Sequence, residues 1–149
     1  DSAQLVKFID FSKSSLSDLG SGAGFPGLVI AIFNENKDFH VKLYEKSPVK
    51  RAFLEEISKR LSLRVEIKGN IYEEIVDADY VVSRAFKKLE AVIQVSREIV
   101  KKSHKLIVLK GQNAQEDIKK AFKKKKYAYK LEDSITNKDS KIIIVDLKK

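Results

Sequence analysis

The residues best suited to chemistry lie together in one glycine-rich segment, residues 18–27. The segment reads Asp-Leu-Gly-Ser-Gly-Ala-Gly-Phe-Pro-Gly and holds four of the six glycines in the chain. A short apolar run precedes it and another follows. Glycines at such a junction let the backbone turn sharply and approach a ligand closely, with amide groups directed at it. A structural turn alone rarely needs four glycines, so the segment predicts a loop that binds a small molecule.

Two ligands fit this loop, a nicotinamide dinucleotide and S-adenosylmethionine. The stretch Gly22–Gly27 satisfies the dinucleotide fingerprint, and Glu45 closes the next predicted strand, where an acid would bind ribose hydroxyls. Both ligands carry an adenosine, so these features do not separate them. Asp18 suits the cationic methionine end of S-adenosylmethionine and would lie poorly beside a pyrophosphate. The length also leaves no second domain to bind a hydride donor or acceptor, and both points favour the methyl donor.

The elements that must position this loop follow from the pattern of apolar residues. Short apolar runs alternate with longer amphipathic segments, which is typical of a parallel sheet covered by helices. Only a short polar loop separates the last two runs, so they are expected to pair antiparallel. The sequence predicts a Rossmann-like α/β fold, a seven-stranded mostly parallel sheet with an antiparallel closing strand and helices on both faces. Its predicted strands are residues 15–19, 40–44, 63–67, 79–83, 105–110, 127–131 and 141–147.

At least four helices are expected between these strands. The second is introduced by Ser47 and Pro48, which supply a helix cap and a first-turn proline. Apolar residues at helical spacing predict that it buries one face. That face is expected to consist of Val49, Phe53, Leu54, Ile57 and Leu61.

Composition limits what kind of protein this is. The 149 residues, 43% of them apolar, suit a single domain over residues 1–149 with one core. The absence of cysteine excludes disulfides and cysteine-based metal or redox chemistry. His40 and His104 lie far apart in the sequence, so no metal site is expected. The sequence contains no apolar run of membrane-spanning length and no signal peptide, which predicts a cytoplasmic location.

Charge is distributed unevenly along the chain, whose net charge is +9. Residues 1–83 hold 11 Lys/Arg and 13 Asp/Glu, a balance of −2. Residues 84–149 hold 19 Lys/Arg and 8 Asp/Glu, a balance of +11. A near-neutral half joined to a strongly basic half favours a polyanionic partner such as RNA. The competing interpretation is a lysine-rich composition spread over solvated helix faces.

Four sequence blocks carry a resemblance to a known family. Segment 18–27 resembles the loop of the GidB/RsmG family, bacterial methyltransferases of 16S ribosomal RNA. Residues 50–54 (Lys-Arg-Ala-Phe-Leu), 83–86 (Ser-Arg-Ala-Phe) and 109–112 (Leu-Lys-Gly-Gln) resemble further family blocks in the same order. Asp1-Ser2 resembles the pair that precedes the family's fold, so the family's helical N-terminal segment is expected to be absent.

One departure from the family pattern concerns the adenosine end of the cofactor. After the third strand the family usually has Arg-x-Glu, and the aligned stretch here is Asn-Ile-Tyr-Glu at residues 70–73. Tyr72 therefore lies where the acid is expected. A tyrosine ring can pack against adenine, so Ile71 and Tyr72 are kept as predicted cofactor contacts.

The resemblance implies a class I S-adenosylmethionine-dependent methyltransferase that methylates N7 of a guanine. The implied partner is 16S ribosomal RNA or the small ribosomal subunit, and the protein is expected to be a monomer that needs neither metal nor membrane. Such a reaction depends mainly on the alignment of the base with the methyl group of the donor. Alignment of this kind can lower the activation barrier by on the order of 7–11 kcal/mol. The predicted cofactor contacts are Asp18, Gly20, Ser21, Gly22, Gly24, Phe25, Glu45, Ile71, Tyr72 and Arg84.

No residue is assigned as catalytic with certainty, and two candidates stand out. Arg84 and Lys110 follow the fourth and fifth predicted strands, where active sites of open α/β sheets gather. Phosphate contacts that position RNA are expected from Lys50, Arg51, Lys110, Lys123 and Lys124.

Three alternative functions stay open at this point. A class I methyltransferase acting on another substrate would share the loop but not the later blocks. A nicotinamide-binding module would bind NADH in a titration. A non-catalytic assembly factor would bind ribosomal RNA without turning over a cofactor.

Overall fold

Strands and helices alternate along the chain as the apolar pattern predicts. The computed structural model describes residues 1–84 and 87–149, so Ala85 and Phe86 of the 83–86 block lie outside the described residues. A 3₁₀ helix (Ser2–Phe8) opens the chain and a second one (Ile71–Glu73) follows the third strand. The strands are β1 (Ser15–Leu19), β2 (His40–Tyr44), β3 (Val65–Lys68), β4 (Tyr80–Arg84), β5 (His104–Lys110), β6 (Ala128–Asp133) and β7 (Lys141–Leu147). The helices are α1 (Gly27–Phe33), α2 (Pro48–Arg60), α3 (Leu89–Ile99) and α4 (Ala114–Ala121).

The seven strands form one sheet in the order β3-β2-β1-β4-β5-β7-β6. Strands β1 to β5 pair parallel, and β7 is antiparallel to both β5 and β6. The predicted sheet and its antiparallel closing strand are confirmed. Because β1 to β5 run the same way, their ends meet at one edge, called here the carboxyl edge; the opposite one is the amino edge. The strand order reverses between β1 and β4, which is where open α/β sheets bind ligands.

The core lies in two layers, one on each face of the sheet. The first 3₁₀ helix, α1 and α2 cover one face, where Leu16, Ile30 and Leu43 are buried. Helices α3 and α4 cover the other face, over Val81 and Leu106. Successive side chains of β7 point to opposite faces of the sheet, so its isoleucines contribute to both core layers. Helices on both faces are therefore confirmed.

Helix α2 differs from its prediction in the face that it buries. Its start is as expected, because the Ser47 hydroxyl accepts a hydrogen bond from the Lys50 N–H and proline follows at the first helical position. Leu54 is buried, but the side chains expected beside it are not: Val49 is 80%, Phe53 45% and Leu61 51% exposed. Successive helical residues are about 100° apart, so Val49 lies about 140° and Phe53 about 100° from Leu54, away from the contact face. Leu61 shares the direction of Leu54 but follows Arg60, the last residue of the helix.

The end of α2 also explains why β3 begins later than predicted. Ser62 adopts a positive φ of 52°, and the Leu63 N–H donates to the Ser58 carbonyl oxygen at 2.8 Å. Leu63 therefore belongs to the turn that closes the helix, although its apolar side chain continues the strand pattern. Ser58 is buried, and its hydroxyl is satisfied there because it donates to the Leu54 carbonyl oxygen at 2.7 Å.

Candidate functional site

The glycine-rich loop lies at the carboxyl edge, between the end of β1 and the start of α1. The N–H groups of Gly20 and Ser21 both donate to the Tyr44 carbonyl oxygen, at 2.9 and 3.0 Å. These bonds join the loop to the end of β2. Gly20, Gly22 and Gly24 all have positive φ angles, between 55° and 99°. Only glycine adopts such angles at little cost, which is the physical reason for the cluster.

A buried carboxylate holds the far end of the loop. Asp18 is fully buried, and its Oδ2 accepts a hydrogen bond from the Gly27 N–H at 2.9 Å. A Cβ on Gly27 would lie 2.3 Å from Leu43 Cδ2 and 2.5 Å from Asp18 Oδ2, so the helix start fits against β1 and β2 only as glycine. Gly24 plays a similar part, since its Cβ would lie 2.5 Å from Leu28 Cδ1.

The electrostatic setting of Asp18 is unusual for a carboxyl group. Burial raises its pKa to about 7, against the lowering effects of the nearby Ser21 hydroxyl, the Gly27 N–H and the Arg84 charge. Its second oxygen, Oδ1, has no hydrogen-bond partner among the described residues. Because the side chain has no exposed surface, it supports the loop from within rather than facing the surface on which the cationic end of a donor was predicted to lie.

A second carboxylate holds the middle of the loop. Glu45 directly follows β2 and is buried, and its Oε2 accepts from the Gly22 N–H at 2.8 Å. Its Oε1 accepts from the Ser47 N–H at 3.0 Å. The acid predicted to bind ribose therefore also fixes the glycine loop to the β2–α2 connection.

Two adjoining cavities open at this edge and share Gly20. The larger is about 440 Å³ and lies over the loop and the ends of β4 and β5. The smaller is about 300 Å³ and lies over the end of β2 and the segment after β3. The larger is lined by Asp1, Gly20, Ser21, Gly22, Ala23, Phe25, Arg84, Leu109, Lys110, Gly111 and Ser140. The smaller is lined by Gly20, Tyr44, Glu45, Lys46, Lys50, Gly69, Asn70, Ile71, Tyr72 and Lys87.

The smaller cavity brings together three predicted contacts to the adenosine end of a cofactor. Glu45 lies on one side, and Ile71 and Tyr72 lie on the second 3₁₀ helix. Asn70 caps that helix, because its Oδ1 accepts from the Tyr72 N–H at 3.3 Å. The Tyr72 ring is 53% exposed, and the Lys87 ammonium lies 5.1 Å from its centroid. The ring therefore presents an accessible aromatic surface at the cavity.

The larger cavity contains the two candidate catalytic residues. The Arg84 guanidinium lies 5.2 Å from the centroid of the Phe25 ring, and both side chains are exposed. Lys110 is less accessible, because its ammonium forms an ion pair with Asp117 of α4 at 2.6 Å. Arg84 therefore presents its charge to the cavity, whereas the Lys110 charge is held beside a carboxylate.

The structure adds residues to the site that sequence reasoning missed. Asp1 lines the larger cavity, where its Oδ1 accepts from Thr136 Oγ1 at 2.6 Å and from Gln4 Nε2 at 2.9 Å. Ser140, from the loop before β7, lies in the same wall. No spacing in the sequence indicates that these distant segments meet. For Asp1 the one available signal was the resemblance of Asp1-Ser2 to the family pair.

The predicted RNA contacts do not all lie together. Lys50 lines the smaller cavity, while Arg51 Nη1 donates to the carbonyl oxygens of Glu45 and Lys46, at 2.9 and 2.8 Å. Lys123 and Lys124 follow α4, close to the start of β6. That start pairs with the end of β7, which in turn pairs with the start of β5, at the amino edge. These two lysines are therefore remote from the cavities at the carboxyl edge.

Two kinds of feature are not found within residues 1–84 and 87–149. No group of three or more histidine, aspartate or glutamate side chains is placed to hold a metal ion. No helix there is long and apolar enough to cross a membrane. His104 is buried, with Nδ1 2.9 Å from the Lys102 carbonyl oxygen and Nε2 2.7 Å from the Ser96 hydroxyl.

The sheet order and the glycine loop after β1 define the class I S-adenosylmethionine-dependent methyltransferase fold. A methyltransferase of that kind from Aquifex aeolicus superposes with a TM-score of 0.77 at 11% identity, covering 99% of this chain and 89% of that one. A putative rRNA methylase from Clostridium thermocellum gives a TM-score of 0.71 at 16% identity, covering 99% and 93%. At these identities the likeness shows the fold.

Sequence comparison gives the family. The model of the GidB family, rRNA small subunit methyltransferase G, matches residues 1–143. Ribosomal RNA small subunit methyltransferase G of Pelagibacter ubique (strain HTCC1062) is 33% identical over 153 residues, which cover 100% of this chain and 71% of the relative. The Rickettsia typhi (strain ATCC VR-144 / Wilmington) protein of that name is 35% identical over 147 residues, covering 98% and 75%. The chain belongs to the rRNA small subunit methyltransferase G family.

Membership in this family confirms the resemblance and decides between the ligands. The chain is a methyltransferase, and its cofactor is S-adenosylmethionine rather than a nicotinamide dinucleotide. The residues present fit that cofactor. Backbone of the glycine loop lines the larger cavity at Gly20 and Gly22, and an acid and an aromatic ring, Glu45 and Tyr72, line the smaller one. The contacts of individual residues with the cofactor stay predictions.

Proposed function

We propose that residues 1–149 form a single methyltransferase domain that methylates N7 of a guanine in small-subunit ribosomal RNA. The observation that carries the proposal is the pair of adjoining cavities at the carboxyl edge, one beside Glu45 and Tyr72 and one beside Arg84. In this proposal the smaller cavity takes the adenosine of the donor and the larger takes the base. We further propose that the domain acts as a monomer in the cytoplasm, with the small ribosomal subunit or its RNA as partner.

The chemistry makes modest demands on the protein. The donor supplies a methyl carbon already activated by a positively charged sulfur. Guanine N7 carries a lone pair and no proton, so it forms the new C–N bond as the S–C bond breaks, and no base is required. The products are S-adenosylhomocysteine and a guanine methylated at N7. What the chain must provide is alignment of the two reactants, which is the effect that converts binding into rate.

The described residues are suited to that task because they form a rigid cradle. Asp18 and Glu45 hold the loop at Gly27 and Gly22, so the backbone that would contact the donor is fixed before binding. In the smaller cavity Tyr72 would pack against the adenine ring. In the larger cavity the Arg84 charge would contact the donor carboxylate or an RNA phosphate.

RNA contacts near the cavities are proposed for the cations at the carboxyl edge. Lys50 is exposed and lines the smaller cavity, whereas Lys110 lies deeper and is paired with Asp117. Such contacts position the RNA but do not read its sequence. In an A-form duplex N7 lies in the deep, narrow major groove, which side chains cannot enter. The substrate is therefore a guanine in a loop or in a folded ribonucleoprotein.

The test is methylation of small ribosomal subunits from a strain that lacks the gene. The protein is incubated with labelled S-adenosylmethionine and either subunits, their extracted RNA or a plain RNA duplex. Nuclease digests are then analysed by mass spectrometry. We expect one methyl group per subunit, recovered as N7-methylguanine, and little on the duplex. Gly22→Val is the control, because a branched side chain disfavours the positive φ of 55° at this position and is expected to abolish donor binding. A methyl group at another position would contradict N7, and no product from a cofactor-bound protein would contradict the substrate.

A further inference from the structure

A groove at the amino edge gathers cations that the cofactor site does not use. It is about 390 Å³ and lies between α3 and the segment that joins α4 to β6. Arg97 comes from the last turn of α3, and Lys124, Lys125 and Tyr127 come from the α4–β6 segment. Lys149, beyond the end of β7, completes the basic side. We name these residues the amino-edge groove.

The charges of this groove are not neutralised. Among the described residues, Arg97, Lys124, Lys125 and Lys149 form no ion pair within 4 Å, although Glu90 and Glu98 also line the groove. Neighbouring cations at the same edge behave differently: Lys102 pairs with Asp77 and Asp79, and Lys105 with Asp146. Four cations beside two carboxylates leave a positive groove within the half of the chain whose balance is +11.

Aromatic and backbone contacts order three of these four cations. The Arg97 guanidinium and the Lys125 ammonium each lie 5.7 Å from the centroid of the Tyr127 ring, within the range of cation–π attraction. The Phe122 ring contacts Tyr127 at a centroid distance of 5.7 Å, which supports the ring from behind. The Lys149 ammonium donates to the Arg97 carbonyl oxygen. Ordered cations lose less conformational entropy when an anion binds.

The basic residues of the groove and the cofactor cavities lie at opposite edges of the sheet. Strand β5 runs from His104 at the amino edge to Lys110 at the carboxyl edge. The six steps between its seven residues, at about 3.3 Å each, place the two edges about 20 Å apart. A ligand that uses both edges must therefore be extended and polyanionic, as an RNA backbone is.

We propose that the amino-edge groove binds backbone phosphates of the ribosomal RNA at a second point, at the edge of the sheet opposite the methyl-transfer cavities. The inference rests on the proposed function and names where its substrate is anchored. Phosphate contacts supply affinity that depends on salt but not on sequence. The groove therefore anchors the RNA, and the carboxyl edge selects and receives the guanine.

The test compares two variants that lose the same charge. Lys124→Gln/Lys125→Gln removes two cations from the groove, and Lys37→Gln/Lys59→Gln removes two exposed lysines on the opposite face of the sheet. Binding of small-subunit RNA is measured over a range of salt concentrations, and S-adenosylhomocysteine affinity is measured by calorimetry. We expect the slope of log affinity against log salt to fall by about 1 to 2 in the groove variant alone. Cofactor affinity is expected to be unchanged in both.

The outcomes separate this inference from the proposed function. If the slope of log affinity against log salt is equal in the two variants, the groove does not anchor RNA. Methylation by the unaltered chain would still support the proposed function. A reduced slope in the groove variant alone supports the groove even if the unaltered chain methylates no ribosomal RNA. Binding of polyglutamate, a model for an acidic protein, is measured in the same way. If the groove variant loses this binding but keeps the salt dependence of its RNA binding, the groove binds an acidic protein and the RNA anchor is wrong.

Discussion

The buried carboxyl group of Asp18 provides a prediction about stability and pH. Burial raises its pKa to about 7, against a value of 3.8 for an accessible aspartate. In the unfolded chain the group ionises near its ordinary value. Between these two values the folded chain holds a proton that the unfolded chain has released. Replacement by asparagine keeps the shape and an acceptor for the Gly27 N–H but removes the titration.

The sign and size follow from proton linkage. Since the folded pKa lies above the unfolded one, the contribution of Asp18 to stability is fully present below about pH 4 and is lost as the pH rises to about 7. A difference of about three pKa units corresponds to about 4 kcal/mol, at about 1.4 kcal/mol per unit. The free energy of unfolding of Asp18→Asn should therefore rise relative to that of the unaltered protein by up to this amount.

Urea unfolding of both proteins at intervals between about pH 4 and about pH 8 measures this difference. Other titrating groups, such as Asp79 and His104, whose pKa values are lowered in the folded protein, contribute equally to both proteins and cancel. The difference should grow steadily through this window and level off above about pH 7. A difference that stays constant within about 1 kcal/mol would refute the reasoning, because it would mean that Asp18 ionises in the folded chain as easily as in water.

Three further substitutions test the loop and the smaller cavity. Gly27→Ala places a Cβ 2.3 Å from Leu43 Cδ2 and should lower the free energy of unfolding by about 1–3 kcal/mol in urea titrations; an unchanged value would contradict the close fit. Glu45→Ala, which removes the acceptor for the Gly22 N–H, should weaken S-adenosylhomocysteine binding by about 1–3 kcal/mol in calorimetry, and Glu45→Gln by less. Tyr72→Ala should weaken the same binding by about 1 kcal/mol, and equal affinity would place the ring outside the adenine site.

Much of the fold could be predicted because the apolar runs of the strands are local signals. β1, β2 and β7 begin and end where the pattern of apolar residues places them. The order of the strands is a different matter, since it depends on contacts between segments far apart in the chain. The buried face of α2 was misjudged for a related reason. The spacing of apolar residues indicates which of them share a helix face. How many of them are buried depends on the surface that the helix packs against, and Val49 and Phe53 stay exposed.

The candidate site shows the same division. The glycine loop and Glu45 were found from local patterns, because a strand, a glycine cluster and an acid after the next strand follow one another at short range. The pairing of Lys110 with Asp117 was not found, because the sequence does not indicate which of the many lysines in this half pairs with which carboxylate. Lys124 lies at the amino edge because it is close to the start of β6. That start pairs with the end of β7, which is antiparallel to β5 and therefore ends at the amino edge. No local pattern contains that information.

The two buried carboxylates give the loop a rigidity that the proposed reaction requires. Asp18 holds Gly27 from β1, and Glu45 holds Gly22 from the end of β2, so the loop is fixed from two strands. A reaction that depends on alignment loses rate when the cradle of one reactant moves. Removing either acceptor, as in Asp18→Ala or Glu45→Ala, should therefore impair methyl transfer even if the acid touches no atom of the cofactor. In that role the two acids hold backbone in place, whereas Arg84, which forms no ion pair among the described residues, presents its charge to the larger cavity.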